Sequence, residues 1–225
     1  MGYFDKIISE YSRAQEDRVQ QEIKDAKTHD SSQISALIRK TLDAGHNVYL
    51  GTDWHLWRFD KKKRTIFKRS DFSSIINAYK NTVKDEDLFI YMGDLIDGEC
   101  EPIKAQLAEI IQSLPGTKVL VRGNNDLFPD TDYNNMGFKY VTPKFIWDNI
   151  MFSHMPQKHN NRMNIHGHLH NFRNFHVMYN NHVDVAALNG RKVPVKIGDV
   201  IAYQPTYAKN INVVYDKIEE WYIDI

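Results

Sequence analysis

The sequence reads LFIYMGDLID at residues 88–97, so that an apolar run passes directly into a glycine and two carboxylates. A short apolar run rich in aromatic and branched residues is typical of a buried strand. Similar runs occur at residues 47–50 and 118–121, and helical patterns at 72–83 and 102–114 separate the three runs. This alternation of strands and helices predicts a largely parallel sheet with helices packed on it, and hence an α/β fold.

The segments on either side of this unit have other patterns. Residues 3–27 carry an apolar stripe at helical spacing that thins after Ala14, and a second helix is predicted between Ser31 and Gly45, which suits a helix C-terminus. Downstream, residues 145–147 and 150–152 flank Asp148-Asn149 and predict a β-hairpin. Residues 163–165 predict a short strand, and 175–179 and 182–188 predict two strands that pair across a turn.

Composition limits the classes of function. The chain has 225 residues, 29 basic and 29 acidic, so no net charge attracts nucleic acid or a membrane surface. No apolar run approaches the length of a membrane span, and the N-terminus does not resemble a signal peptide. The single cysteine, Cys100, cannot form an intramolecular disulfide. We therefore expect a cytoplasmic protein with no membrane partner.

Side chains that bind metals follow five separate strand candidates. Because ligand sites in open α/β sheets lie beyond the carboxyl ends of strands, these loops are predicted to converge on one site. Each motif alone is weak, but all five in one order, each after an apolar run, are a strong signal. In chain order the five motifs, with the glycines that begin three of them, are Asp53 and His55; Gly93, Asp94 and Asp97; Gly123, Asn124, Asn125 and Asp126; His154; and Gly167, His168 and His170.

The residue types indicate the kind of metal site. Imidazole combined with carboxylate suits zinc, iron, manganese or nickel, and the absence of thiolates disfavours a structural zinc site. Two ligands separated by one residue on an extended strand project to the same side. Seven ligands from among these residues are too many for one tetrahedral ion. They fit two ions that share a carboxylate, and such a pair can clamp an in-line phosphoryl displacement.

The series Asp53-x-His55, Gly93-Asp94-x-x-Asp97, Gly123-Asn124-x-Asp126, His154 and Gly167-His168-x-His170 resembles the calcineurin-like metallophosphoesterases, most of all small stand-alone prokaryotic or phage-type members. The resemblance covers roughly residues 47–200. It implies a four-layer α-β-β-α sandwich with the metals at the strand ends. We expect a helical extension at 1–46, the metallophosphoesterase domain at 47–203 and a C-terminal tail at 204–225.

The resemblance also implies roles for single residues. A first metal ion is expected on Asp53, His55 and His170. A second ion is expected on Asn124, His154 and His168, with Asp94 bridging the two. Manganese is the expected metal, with iron, zinc or nickel as alternatives. The implied reaction is hydrolysis of a phosphate ester, a diester rather than a monoester, through in-line attack by a hydroxide that bridges the two ions.

Three further residues of the motifs, Asp97, Asn125 and Asp126, are expected to support catalysis without binding a metal ion. Asp97 and Asp126 are expected to orient ligands. Asn125 stands where many family members have a histidine, and a carboxamide donates hydrogen bonds but cannot act as a general acid. Three interpretations remain: another histidine, His159 or His166, supplies the proton; the substrate has a good leaving group; or activity is weak and the protein mainly binds.

Basic and aromatic residues near the motifs remain open in their roles. Arg58 is a candidate to clasp a phosphate, and Trp54 and Trp57 either stack on a base or pack in the core. The basic run at 61–64 contacts phosphates or is a solvated loop. Lys158, His159 and Arg162 are expected to contact a phosphate or another part of the substrate.

Two other functions compete with the phosphoesterase. The first is a nuclease that grips nucleic acid, and the second is a non-catalytic scaffold, which ranks last because all seven ligands are present. The helix at 3–14 is expected to form a homodimer contact.

Overall fold

The computed structural model describes residues 31–60, 65–97, 101–157, 163–170, 182–186 and 193–202. The predicted helix at 3–27, the basic run at 61–64, residues 158–162 and the tail from residue 203 lie outside them. Within the described part, the protein is a mixed α/β sandwich of two facing sheets, so the predicted α/β fold class is confirmed.

The first sheet has five strands in the order β11-β1-β4-β5-β6. The strands are β1 (Val48–Gly51), β4 (Leu88–Tyr91), β5 (Thr117–Val121), β6 (Phe138–Thr142) and β11 (Val195–Lys196). Strands β1, β4, β5 and β6 run parallel, as the alternation of strands and helices predicts, whereas β11 pairs antiparallel with β1 at the edge. The carboxyl ends of β1, β4 and β5 therefore lie side by side at one end of the sheet.

The second sheet has four strands in the order β10-β9-β8-β7. The strands are β7 (Lys144–Trp147), β8 (Ile150–Ser153), β9 (Met163–His166) and β10 (His182–Asp184). The predicted hairpin across Asp148 and Asn149 is confirmed by the antiparallel pairing of β7 with β8. The strand predicted at 182–188 ends at Asp184 and pairs parallel with β9, and its predicted partner at 175–179 lies outside the described residues.

Alternation along the strands of the first sheet divides the apolar core into two parts. Val48 and Leu50 point towards the second sheet, where they meet Phe145 and Phe152, while Tyr49 belongs to the cluster on the other face. Helices α2 (Phe72–Thr82) and α3 (Lys104–Gln112) cover that other face, and a 3₁₀ turn (Glu101–Ile103) precedes α3. Because side chains of a strand alternate between faces, one buried sheet supports both cores.

Helix α1 (Ser31–Asp43) belongs to the core between the sheets. Its side chains Ile34 and Ile38 are fully buried there, and Ser35 donates a hydrogen bond of 3.0 Å to the carbonyl oxygen of Ile146 on β7. The helix ends before Gly45, which adopts a φ of 79°, as predicted for a helix C-terminus. The short helices α4 (Asp130–Asn135) and α5 (Ile197–Ala202) pack beside β6 and β11.

A two-stranded sheet was not predicted from the sequence. Strands β2 (Trp57–Asp60) and β3 (Thr65–Lys68) pair antiparallel directly after the Asp53-x-His55 loop. No helix within the described ranges is long and apolar enough to cross a membrane.

The buried position of α1 gives the first prediction. We expect Ile38→Ala to lower the free energy of unfolding by about 2–5 kcal/mol, because it opens a cavity in the core between the sheets. Leu42→Ala is the control, since Leu42 lies on the same helix with 39% of its surface exposed, and we expect a change below about 0.5 kcal/mol. Urea denaturation measures both variants, and equal stability would contradict the packing of α1.

Candidate metal centre

The loop after β1 is hydrogen-bonded along the loop after β4. The backbone amides of Asp53, His55 and Leu56 donate to the carbonyl oxygens of Gly93, Asp94 and Leu95 at 2.9, 3.0 and 2.9 Å. The buried hydroxyl of Tyr91 accepts from the Trp54 amide at 2.7 Å and donates to the Asp94 carbonyl oxygen at 3.1 Å. The first two motifs are thus held as one unit.

The backbone at the site adopts a rarely populated conformation. Six non-glycine residues in the described ranges have positive φ, and five of them are at predicted metal ligands. Such residues cost about 1–3 kcal/mol each and persist where surrounding contacts over-determine them, typically at functional sites. The five are Asp53 (54°), His55 (44°), Asp94 (61°), His168 (68°) and His170 (54°).

Four predicted ligands form a first cluster. One ligand atom from each of Asp53, His55, Asp94 and His170 lies within 4.8 Å of every other. The Nε2 atoms of His55 and His170 are 3.0 Å apart, and Asp53 Oδ1 is 3.0 Å from His170 Nε2. Nitrogen and oxygen lone pairs that converge on one point in this way suit a divalent cation.

A second cluster shares Asp94 with the first. Asp94, His154 and His168 place ligand atoms within 4.8 Å of one another. Asp94 Oδ2 lies 3.3 Å from His154 Nε2 and 3.6 Å from His55 Nε2, so a single carboxylate oxygen faces both groups. His154 Nδ1 lies 2.7 Å from the carbonyl oxygen of Met92, which fixes the ring and directs Nε2 into the cluster.

Asn124 and Asn125 follow β5 at the same end of the sheet. The side-chain oxygen of Asn124 is buried and has no hydrogen-bond partner among the described residues. A buried oxygen without a donor is costly, and a cation beside it would remove that cost. The neighbouring Asn125 donates twice to Asp94, from its backbone amide to Oδ1 at 3.0 Å and from Nδ2 to Oδ2 at 2.9 Å. The donor set therefore fits a metal site.

Asp126 holds the backbone of the site together. Its buried carboxylate accepts hydrogen bonds from the backbone amides of Asp94, Leu95 and Gly123 at 2.8, 2.9 and 2.8 Å. It thereby holds the backbone of the loop that carries Asp94, and its role in orienting a metal ligand stays a prediction. Asp97 lies farther out, where its Oδ2 is 3.8 Å from Nε of Arg58.

Burial and the neighbouring charges shift the pKa values of the histidines and carboxylates at the site in opposite directions. Burial lowers the pKa of His55 and of His168 to about 4, so both rings are neutral near pH 7. Burial also disfavours the charged form of His154, but the Asp94 carboxylate outweighs it and raises its pKa to about 10. For Asp94, burial favours a higher pKa, but the charge and hydrogen bond of His154 outweigh burial and hold the pKa well below its usual range. Burial and the Asp94 carboxylate raise the pKa of Asp126 to about 6.

Glycines make this crowding possible. Gly93 has a φ of 95°, and a Cβ there would lie 2.5 Å from His154 Nδ1. A Cβ on Gly123 would overlap the Asp94 carboxylate, and one on Gly167 would overlap Thr52. The Gly-Asp and Gly-Asn corners therefore let the loops approach closely, as the sequence predicts.

Among the described residues, the two tryptophans and His166, which were candidates for substrate contact or proton transfer, do not belong to the two ligand clusters. Trp54 and Trp57 are buried, with Trp54 against Tyr91 at a ring distance of 4.8 Å, so both pack in the core rather than stack on a ligand. His166 is buried, with Nδ1 2.8 Å from the Gly167 carbonyl oxygen. His159 lies outside the described residues, as does Cys100.

Some supporting residues were not identified from the sequence. Tyr91 and Thr52 are the main ones, and Thr52 Oγ1 lies 2.7 Å from Asp53 Oδ2. Tyr91 lies within an apolar run, which predicts a buried strand but not a role for its hydroxyl. Thr52 directly precedes the Asp53-x-His55 motif but is not part of it.

Two facing sheets with carboxylates and imidazoles clustered at the strand ends define a protein with a candidate site for divalent metal ions. The family model described as calcineurin-like phosphoesterase matches residues 46–220. The chain belongs to this family, whose members are metal-dependent phosphoesterases.

Similar individual proteins add little about function. An uncharacterized protein of Methanocaldococcus jannaschii is 30% identical over 105 residues, which are 42% of this chain and only 56% of that protein. A protein of unknown function from Aquifex aeolicus has a TM-score of 0.49 and 18% identity, covering 68% of this chain and 97% of its own. The nuclease MPE of Pseudomonas putida has a TM-score of 0.42 and 16% identity, covering 55% of this chain and 61% of its own.

The Tyr91 hydroxyl gives a prediction for the site. We expect Tyr91→Phe to lower the free energy of unfolding by about 1–3 kcal/mol, because it leaves the buried Trp54 amide without its acceptor and removes one of the two donors to the Asp94 carbonyl oxygen. Tyr140→Phe is the control, since its hydroxyl makes no hydrogen bond within the described ranges, and we expect a change within about 0.5 kcal/mol. Chemical denaturation compares the two, and a similar effect in both would argue against the Tyr91 link.

Proposed function

We propose that the protein is a metal-dependent phosphoesterase that hydrolyses a phosphodiester with two metal ions. The observation that carries the proposal is the Asp94 carboxylate, which belongs to both clusters of ligand-type side chains. A pair of divalent ions held by these residues would lower the pKa of a bound water, polarise the phosphoryl group and stabilise the attacking and leaving oxygens.

We assign the ligands in two groups that meet at Asp94. Asp53, His55 and His170 hold one ion. Asn124, His154 and His168 hold the other. The neutral rings of His55 and His168 offer lone pairs near pH 7, and the buried Asn124 oxygen gains the partner that it otherwise lacks. Manganese is the proposed metal, with iron, zinc or nickel as alternatives, because imidazole and carboxylate accept all four.

The chain's own residues position this chemistry. Asp126 fixes the backbone of Asp94, and Asn125 orients the Asp94 carboxylate through its two hydrogen bonds. Asn125 cannot protonate a leaving oxygen. This supports a substrate whose leaving group departs without an acid, or a proton supplied by another group such as His159.

Other aspects of the proposal rest on the sequence alone. Asp97 is proposed to orient metal ligands and Arg58 to clasp a phosphate of the substrate, and a cytoplasmic location is inferred from the single cysteine. The homodimer through residues 3–14 and the domain boundaries at 46 and 203 also stay predictions. A nuclease is the second candidate, and a non-catalytic scaffold is disfavoured because every ligand position is filled.

The shared carboxylate gives the functional prediction. We expect manganese-dependent hydrolysis of bis-p-nitrophenyl phosphate, faster than that of p-nitrophenyl phosphate, and its loss after chelation. Asp94→Ala should lower kcat/KM by more than about 100-fold, since losing even a partner of a ligand costs 10–100-fold. Asp148→Ala is the matched control, because Asp148 also has positive φ but lies at the far end of β8.

The outcomes of this assay separate the alternatives. Turnover that survives chelation, or that Asp94→Ala and Asp148→Ala affect equally, would contradict the two-metal proposal. A preference for the monoester would overturn the diester assignment alone.

The raised pKa of His154 gives a prediction about metal binding. Below its pKa of about 10 the metal-free ring is protonated, so coordination through Nε2 must release that proton. His55 and His168, with a pKa of about 4, are already neutral near pH 7 and release none. We expect at least one proton released per chain, one from His154 and a further one where a metal-bound water ionises, measured by titration calorimetry with Mn²⁺ in two buffers of different ionisation enthalpy. Binding heats that do not depend on the buffer would contradict the assignment of His154.

A further inference from the structure

The β2–β3 hairpin has two distinct faces beside the metal centre. Strand β2 begins two residues after His55, and its register pairs Arg58 with Phe67 and Trp57 with Lys68. Directly opposed residues of antiparallel strands project to the same face, and consecutive residues project to opposite faces. Arg58 and Phe67 therefore share one face, and Trp57 and Lys68 share the other.

The hairpin face that carries Trp57 and Lys68 packs against the rest of the protein. The Trp57 ring lies 5.1 Å from that of Phe72, and Lys68 Nζ lies 4.3 Å from the Phe72 ring. Ile66 on the same side packs against the core beneath the helices. The opposite face is consequently turned away from the core, and 47% of the Phe67 surface is exposed there.

Arg58 connects this exposed face to the metal centre. Its backbone forms a β-bridge with Asp97, three residues beyond Asp94, and its Nε is 3.8 Å from the Asp97 carboxylate. Nε has no hydrogen-bond partner in the part of the chain that the structure describes. The strand that carries Arg58, opposite Phe67, is thus joined to the segment that follows Asp94, and the Arg58 side chain is 43% exposed.

We propose that Arg58 and Phe67 form a subsite for the nucleoside part of a phosphodiester substrate, in which the guanidinium faces the phosphate and the phenyl ring stacks on the base. The inference rests on the proposed function, because it names the substrate class of that same site. A phosphate is complementary in charge to Arg58, and an exposed aromatic ring beside a phosphate site suits base stacking. The tryptophans near the motif are buried and cannot take this role.

Binding measurements test the subsite without relying on turnover. We expect the manganese-loaded protein to bind thymidine 5′-monophosphate more tightly than inorganic phosphate in titration calorimetry. Phe67→Ala should raise the Kd for the nucleotide about tenfold, the factor typical of one base–aromatic stack, and should reduce the preference over phosphate. Phe67→Tyr should restore the preference. Arg58→Ala should weaken binding of both ligands.

Matched controls are available on α1. Leu42→Ala removes an exposed apolar side chain, and Arg39→Ala removes an arginine whose partner is Asp148 at the far end of β8. Neither should change the preference for the nucleotide. A protein that prefers phosphate, or a Phe67→Ala variant that keeps the wild-type preference, would overturn the subsite.

A kinetic arm separates failure of the subsite from failure of the proposed function. Thymidine 5′-(p-nitrophenyl phosphate) and methyl p-nitrophenyl phosphate release the same leaving group, and only the first carries a base. Hydrolysis of both with equal kcat/KM would sink the subsite and leave the phosphoesterase standing. Hydrolysis of neither, with Phe67-dependent binding of the nucleotide, would support the subsite and contradict the phosphoesterase.

The affinity for a third ligand shows whether the nucleoside belongs to a nucleic acid or to a mononucleotide diester. A short oligothymidylate that binds more than about tenfold tighter than the mononucleotide, with strong dependence on salt, would identify a nucleic-acid substrate. Equal affinity would identify a mononucleotide diester. In either case Phe67→Ala should weaken binding about tenfold, and unchanged affinity would contradict the stacking on Phe67.

Discussion

The Asp94 carboxylate faces two groups of imidazoles at once, and much of the site is arranged around that contact. Its Oδ2 lies 3.3 Å from His154 and 3.6 Å from His55, rings that come from different sheets. A buried carboxylate is stable only where charges and donors compensate it. Here His154 and the two hydrogen bonds from Asn125 provide that compensation, so removal of the carboxylate would leave both groups without a common partner.

The architecture supplies the means to hold this carboxylate. Parallel strands end at one edge, which brings the loops after β1, β4 and β5 together, and the second sheet adds the loops after β8 and β9. The left-handed backbone of five ligand residues costs free energy, which the two apolar cores on either face of the first sheet offset. Asp126 and Tyr91 then transmit the rigidity of the strands to the loops through buried hydrogen bonds.

The sequence predicted the parallel sheet and the convergence of ligand-type residues, because both follow from local pattern and from the order of strands. It did not predict the β2–β3 hairpin, since the strand at 57–60 is short and runs into a basic segment that resembles a loop. Burial of Trp54 and exposure of Phe67 depend on register and packing, which a single sequence does not specify. The role of Tyr91 was hidden for the same reason, because a tyrosine in an apolar run has the same pattern whether or not its hydroxyl bridges two loops.

Anomalous diffraction from crystals soaked in Mn²⁺ would locate the metal ions. Two ions that share Asp94 should give two peaks about 3.5–4 Å apart, one beside His55 and His170, the other beside His154 and His168, with Asp94 between them. A single peak, or two peaks that do not share Asp94, would contradict the two-metal proposal.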